Sequence, residues 1–259
     1  MTSLGLTVYG PEVARSGLTA RLDDFIREAT DLQIEERFFS IHSHSSIEAF
    51  YSLTGSCGGK HWPLVLDLFD LRPGCATIWR GPNALEVLQK LKGNTQPALA
   101  AAGTVRSRFQ CDNPVTNLIH VSDSERIMAD ELEILRAQST GEIDQCWLEL
   151  DTGYTTHSSL LLLLRLLGAP INEAQGCDSA RAHAMGAFEQ LHSVASGSEI
   201  AKPVEEYLLG RQSGLASLLT KFGRVSAWDD LILRSGLYSM PVWQSILASP
   251  PSPRLGAGS

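Results

Sequence analysis

Apolar and polar positions along this chain change their period several times, and each change marks an element. "LGLTVY" alternates as a half-buried strand should, and stops at Gly10-Pro11. "GLTARLDDFIREAT" then sets Leu18, Leu22, Phe25 and Ile26 at helical spacing, with a polar opposite face. "LQIEERFFSIHS" is strand-like. "SSIEAFYSL" is a short helix opened by Ser45 or Ser46 as its cap, with Glu48 close behind. The Gly-rich "TGSCGGK" leads to an apolar segment, "HWPLVLDLF". "GCATIWRG" predicts a strand, and "PNALEVLQKLKG" a helix with Pro82 near its start and Gly93 at its stop. After the irregular "NTQPALAAAGTVRSRFQCDNPVT", the segment "NLIHV" predicts a strand that delivers His120 to a polar turn. "SERIMADELEILRAQ" is the next helix. With the short helices merged, residues 1–139 read β-α-β-β-α-β, an α+β fold of the split-βαβ or ferredoxin-like kind. A loop longer than about 15 residues in so compact a domain is usually functional, and this one runs straight into His120.

From residue 140 to 248 the pattern is helical. "HSSLLLLLRLLGAP" ends at Gly168-Ala169-Pro170 and reads as a buried helix. Its run from Leu160 to Leu167 is too short to span a bilayer and contains Arg165. "DSARAHAMGAFEQLHSVAS" begins at a good cap, Pro203 opens "KPVEEYLLG", and Ser226 precedes "AWDDLILRSG" with Asp229 three residues on. Residues 249–259, rich in Pro, Gly and Ser, are expected to be disordered. The apolar faces of the helical region need burial among themselves, against the first half or against another subunit.

Composition narrows the function classes. A 43% hydrophobic and 19% charged chain of 259 residues describes an ordinary soluble protein, large enough for two small domains. The net charge of −8 disfavours nucleic acid and anionic membranes as partners. Five scattered cysteines (Cys57, Cys75, Cys111, Cys146, Cys177) without a CxxC pair argue for reduced thiols, a cytoplasmic location and no zinc site. The start, "MTSLGLTVYG", shows no signal-peptide pattern. His42 and His44 stand at strand spacing, yet without a nearby Cys or acidic ligand they read as a plain strand end rather than a metal pair.

The motifs carry more. "AFYSL" with Tyr51, "IWRGPNAL", "GNTQPALAAAGTVRSRF" and "NLIHVSDS" together resemble the nucleotide pocket of the nucleoside diphosphate kinases, over residues 6 to about 138. The resemblance implies that His120 takes a phosphoryl group from a nucleoside triphosphate and discharges it onto a diphosphate, with Mg²⁺ riding on the nucleotide. It makes Glu131 the acid that fixes the imidazole, with Ser122 and Tyr51 beside it. It makes Arg106, Thr95 and Asn117 phosphate and sugar contacts, and offers Trp62 or His61 as the ring that stacks on the base. It also implies a homo-oligomer, a tetramer or hexamer. An imidazole suits this chemistry because it is nucleophilic near neutral pH and can form a covalent intermediate.

The same pocket departs from the family where positive charge is supplied. Gly10 stands where the family has a lysine that contacts the reacting phosphates, and Gln89 where it has an arginine. Val121 replaces the glycine after the histidine, adding bulk. Losing one transition-state electrostatic donor typically costs about 10²–10³ in rate. Lys92, one turn beyond Gln89, is the nearest candidate for compensation, and Lys60 or Arg80 are expected near the rim. Two readings follow: an altered or weakened phosphotransferase, or a catalytically silent nucleotide-binding or scaffold module whose helical half binds a protein partner. A third, another enzyme class reusing the cleft, has no residue behind it. The helical half is expected either to cover the family's assembly surface or to roof the cleft.

Overall fold

The computed structural model describes residues 2–140, 157–171 and 179–249. Strand β1 (Thr2–Tyr9) is followed by α1 (Pro11–Arg15), α2 (Thr19–Ala29), β2 (Gln33–Ile41), α3 (His44–Ser52), α4 (Trp62–Phe69), β3 (Pro73–Pro82) and α5 (Ala84–Lys92). A 3₁₀ turn at Pro97–Leu99 and a short helix, α6 (Val105–Arg108), lie within the long irregular segment. Then come β4 (Ile119–Val121), α7 (Glu125–Ala137) and a two-residue strand, β5 (Ser139–Thr140). The sheet order is β4-β1-β3-β2-β5, antiparallel throughout, which is the ferredoxin-like arrangement with an added edge strand.

Alternation along β1 sorts the two faces. Leu6 and Val8 join Phe50 of α3 and Leu135 of α7 in one cluster. Tyr9 turns to the other face, where Leu22 and Ile26 of α2 and Leu88 of α5 bury it. His120 pairs with Val8 across the β1–β4 ladder, so it shares the face of α3 and α7.

One local expectation is corrected, and one segment left without an element is assigned. The cap of α3 is Ser43, which accepts from the Ser46 amide while the Ser46 hydroxyl accepts from the Ser43 amide. That reciprocal capping box consumes Ser46 inside the helix, so neither Ser45 nor Ser46 opens it. The apolar "HWPLVLDLF" is helix α4, started by Pro63 in its first turn. Its apolar residues face both the sheet domain and the second half.

The described part of the second half is helical: α8 (Ser159–Leu166), α9 (Ala180–Ala195), α10 (Ala201–Leu208), α11 (Gln212–Phe222), α12 (Ala227–Leu237) and α13 (Met240–Ala248). Ser158, Ser179 and Ser226 cap α8, α9 and α12. Leu160, Leu162, Leu163 and Leu164 are buried as expected of the leucine run. One apolar cluster holds these helices together with Ile47, Val65, Leu68, Phe69 and Val115 from the sheet domain. Trp228 of α12 receives the guanidinium of Arg15 at 4.6 Å and of Arg72 at 5.6 Å from its ring centroid. The two halves are therefore packed on each other. The tail from residue 250, Cys146 and Cys177 lie outside the described residues. Among the described residues no helix is long and apolar enough to cross a membrane.

Candidate active site

Strand β4 and helix α7 build the centre. The Nε2 atom of His120 lies 2.7 Å from Oε1 of Glu131, a fully buried carboxylate on α7. The Ser122 hydroxyl donates to Oε2 of the same carboxylate. Since a carboxylate accepts, Nε2 carries the imidazole proton and Nδ1 keeps its lone pair. Among the described residues Nδ1 has no hydrogen-bond partner, and the side chain is 21% exposed. The ring is held edge-on by Phe50 at 5.0 Å and Tyr51 at 6.3 Å between centroids. Ser124 caps α7, which fixes the register that sets Glu131 beneath His120. Alone in sequence Glu131 would read as a surface helix carboxylate; tertiary packing buries it.

Arg106 is equally changed by context. A lone loop arginine is expected in solvent, but here it is 4% exposed at the start of α6. Its guanidinium donates to the carbonyls of Gly93, Asn117 and Ile119, to Oδ1 of Asn117 and to the Thr95 hydroxyl. Arg106, Thr95 and Asn117 thus form one network that shapes the lead-in to β4, with every acceptor drawn from the protein. The Asn117 amide group in turn donates to the Pro114 carbonyl.

Gln89 and Lys92 both serve the turn after His120. Gln89 donates to the carbonyls of Ser122 and Asp123, and Lys92 to the Val121 carbonyl, with Asp123 3.8 Å away. Burial, and then the charge of Arg106, push the Lys92 ammonium pKa down. Val121 is fully buried on the face opposite His120, so its bulk goes into the core beside α5. Arg80 pairs with Glu35 and stands opposite Leu4, four positions along the ladder from the Val8–His120 pair. Trp62 meets the Tyr51 ring at 5.5 Å, while His61 meets Tyr238 of the helical half at 6.1 Å. His42 is buried on the Ser46 hydroxyl, and His44 sits in the first turn of α3 facing Asp70.

A residue that pattern reading passed over stands beside this group. Glu12 of α1 is 2% exposed; its Oε1 accepts from the Leu118 amide at 2.9 Å, and its Oε2 has no hydrogen-bond partner among the described residues. Leu118 holds a left-handed backbone (φ 72°), which costs a non-glycine residue about 1–2 kcal/mol, and Glu12 pins it there. Burial pushes the Glu12 carboxyl up to about 7, against the pull of the Glu12 and Leu118 amides and of Arg106. Burial, then the neighbouring Glu12, also raises the Tyr51 phenol. The sequence signal was slight: an acid two residues after Gly10.

The loop that leads into β4 is bolted to the helical half. Asp112 accepts from the start of α8, His157 meets the Phe109 carbonyl, and the Thr116 hydroxyl donates to the His157 carbonyl.

The first half of the chain has known relatives. The family profile described as nucleoside diphosphate kinase matches residues 7–140. A nucleoside diphosphate kinase of Streptomyces coelicolor is 31% identical over 136 residues, 52% of this chain and 96% of that protein. The Streptomyces griseus enzyme is 28% identical over the same shares. The Symbiobacterium thermophilum enzyme is 34% identical over 73 residues, covering 48% of that protein. Among solved structures, the nucleoside diphosphate kinase of Encephalitozoon cuniculi aligns over 56% of this chain and 98% of its own, at 22% identity and a TM-score of 0.44. That of Halobacterium salinarum, in complex with CDP, aligns over 56% and 96%, at 18% identity and a TM-score of 0.46.

Proposed function

Because the chain belongs to the nucleoside diphosphate kinase family through residues 7–140, we propose that it is a phosphotransferase carrying a phosphoryl group on Nδ1 of His120. The observation that supports this most is the buried Glu131, which takes Nε2 of His120 and the Ser122 hydroxyl and leaves Nδ1 open. A nucleoside triphosphate is the donor and Mg²⁺ travels on it. Among the described residues no group of three or more His, Cys, Asp or Glu side chains is placed to hold a metal of its own. Attack by Nδ1 on the terminal phosphorus forms the N–P bond as the bond to the leaving diphosphate breaks. An acceptor oxygen then reverses the step. Glu131 holds the tautomer and offsets the positive charge that the imidazole gains.

The activity is weakened relative to a full set of phosphate-binding cations. Gly10 and Gln89 supply no charge, and Arg106 already donates to five internal acceptors. Those same observations favour the second reading, a silent nucleotide-binding module. Tyr51 meets the His120 ring and Trp62 meets Tyr51, which supports Trp62 as the ring that stacks on the base, with Lys92, Thr95 and Asn117 as the nucleotide contacts of this reading. Assembly into homo-oligomers, a cytoplasmic setting and a protein partner for the helical half complete the proposal.

The test is incubation with Mg²⁺ and γ-labelled ATP or GTP. Acid-labile label on the chain, absent from His120→Ala and chased by added diphosphate, is the expected result. Nucleotide binding without label would establish the silent reading instead.

A further inference from the structure

Glu12 is a buried carboxyl that the mechanism above does not use. One of its oxygens is fixed by the Leu118 amide, two residues before the nucleophile, and the other is buried and unpaired. Such an arrangement is costly, and a retained buried polar group without a partner points to a role. Its position is specific. A β-carbon built on Gly10 would lie 2.1 Å from Oε2, so a side chain at position 10 would require this carboxyl to move from where it stands. The carboxyl stands at the outlet of any side chain leaving the end of β1.

Its surroundings decide what it does. From α6 comes Arg106, whose donors all go to other acceptors; from the following loop Cys111; from α3 Tyr51, whose hydroxyl has no hydrogen-bond partner among the described residues. Glu131 lies beyond Tyr51. Among the described residues no cation makes a direct bond to Glu12; its Oε1 holds Leu118, two residues before His120, and its neighbour Tyr51 meets the His120 ring at 6.3 Å, so its charge, when present, acts on the His120 site through the protein interior.

We propose that Glu12 is a charge gate for this site: an anionic phosphoryl group is admitted while the Glu12 carboxyl is neutral and repelled when it ionises. The inference rests on the phosphoryl reading of the His120 site. Glu12 touches no reacting atom in it and is a positioning residue, one that also holds Leu118. Its carboxyl, pushed up to about 7 by burial, changes charge near neutrality, and about nine-tenths of it is ionised one unit higher.

The test compares the full-length chain with Glu12→Gln, which keeps an oxygen for the Leu118 amide and removes the titration. Two readouts run from pH 6 to pH 8: labelling of His120 by γ-labelled ATP, and calorimetric binding of inorganic pyrophosphate. The expected result is near-equal behaviour at pH 6. At pH 8 the variant should label and bind about 10-fold better than the unmodified chain. Parallel pH profiles in both readouts, or a variant inferior at every pH while its circular dichroism spectrum is unchanged, would overturn the gate. Absence of label in both chains, with the Glu12-dependent pyrophosphate effect present, would remove the phosphotransferase reading and leave the gate standing. Label that appears without any difference between the chains does the reverse. Neither label nor pyrophosphate binding at any pH removes both.

Discussion

Trp243 donates its indole N–H to the backbone carbonyl of Asp112 at 2.8 Å, tying the last helix to the loop that leads into His120. The Asp112 side chain works from the other direction. Its Oδ2 accepts from the Leu160 amide at 2.7 Å and from the hydroxyls of Ser158 and Ser159 at 2.8 and 3.0 Å. A carboxylate at the positive end of α8 is favourably placed, and burial raises the penalty for removing it. Asp112→Ala should destabilise the protein by about 3 kcal/mol or more, since it strands several buried donors. Urea unfolding measures this, and limited proteolysis should show α8 opening before the sheet domain.

Arg106→Lys tests whether the guanidinium is chiefly a strut. A lysine offers one point of donation where the fork now reaches Gly93, Thr95, Asn117 and Ile119. The variant should lose about 2–4 kcal/mol of stability by denaturant titration. An unchanged unfolding midpoint would mean that the network is dispensable.

Glu131→Gln keeps an acceptor for His120 Nε2 and lets the Ser122 hydroxyl turn round to accept. The fold should survive, while the charge that balances a phosphorylated imidazole is gone. His120 labelling should fall by about 10²-fold, read in a single-turnover assay with ATP. Equal rates would separate Glu131 from the chemistry.

Acid should loosen the contact between the halves. His157 is buried with Nε2 2.6 Å from the Phe109 carbonyl, and burial pushes its pKa down to about 4. Below the ordinary histidine value the unfolded chain takes up a proton that the folded one refuses, so stability falls as pH drops from about 6.5 towards 4. At pH 5 that amounts to about 2 kcal/mol. His42, also held down to about 4 by burial, adds to it. His157→Gln should flatten the profile of melting temperature between pH 7 and pH 5.

Glu12 has the opposite sign. Its folded value of about 7 lies above the unfolded one, so its contribution is most favourable below about 4.5 and is lost as pH rises to 7. Glu12→Gln should therefore gain about 2.5 kcal/mol on the unmodified chain between pH 5 and pH 8. A constant difference across that range would show that the carboxyl ionises as freely as it does in water.

Periodicity sufficed for β1, α2, β2, α3, β3, α5, β4 and α7, because strands with one buried face must alternate and amphipathic helices must repeat at three and four. Local pattern also sufficed for the capping of α9 and α12, since a cap bond closes within three residues. Local pattern failed at α3, where Ser43, Ser45 and Ser46 are chemically equivalent and geometry alone picks one. It left α4 open, because a run apolar on most sides suits a helix buried between two halves as well as a strand. The signature around His120 was legible because a motif keeps its spacing in sequence. What its neighbours do was not. Whether Arg106 faces a phosphate or five internal acceptors, and whether Glu131 lies in water or under His120, depends on chain segments brought together from far apart. Glu12 shows this most clearly. Nothing in its sequence neighbourhood distinguishes it from an ordinary helix acid, and only the closure of β1, β4 and α3 around it takes away its water and leaves one oxygen unpaired.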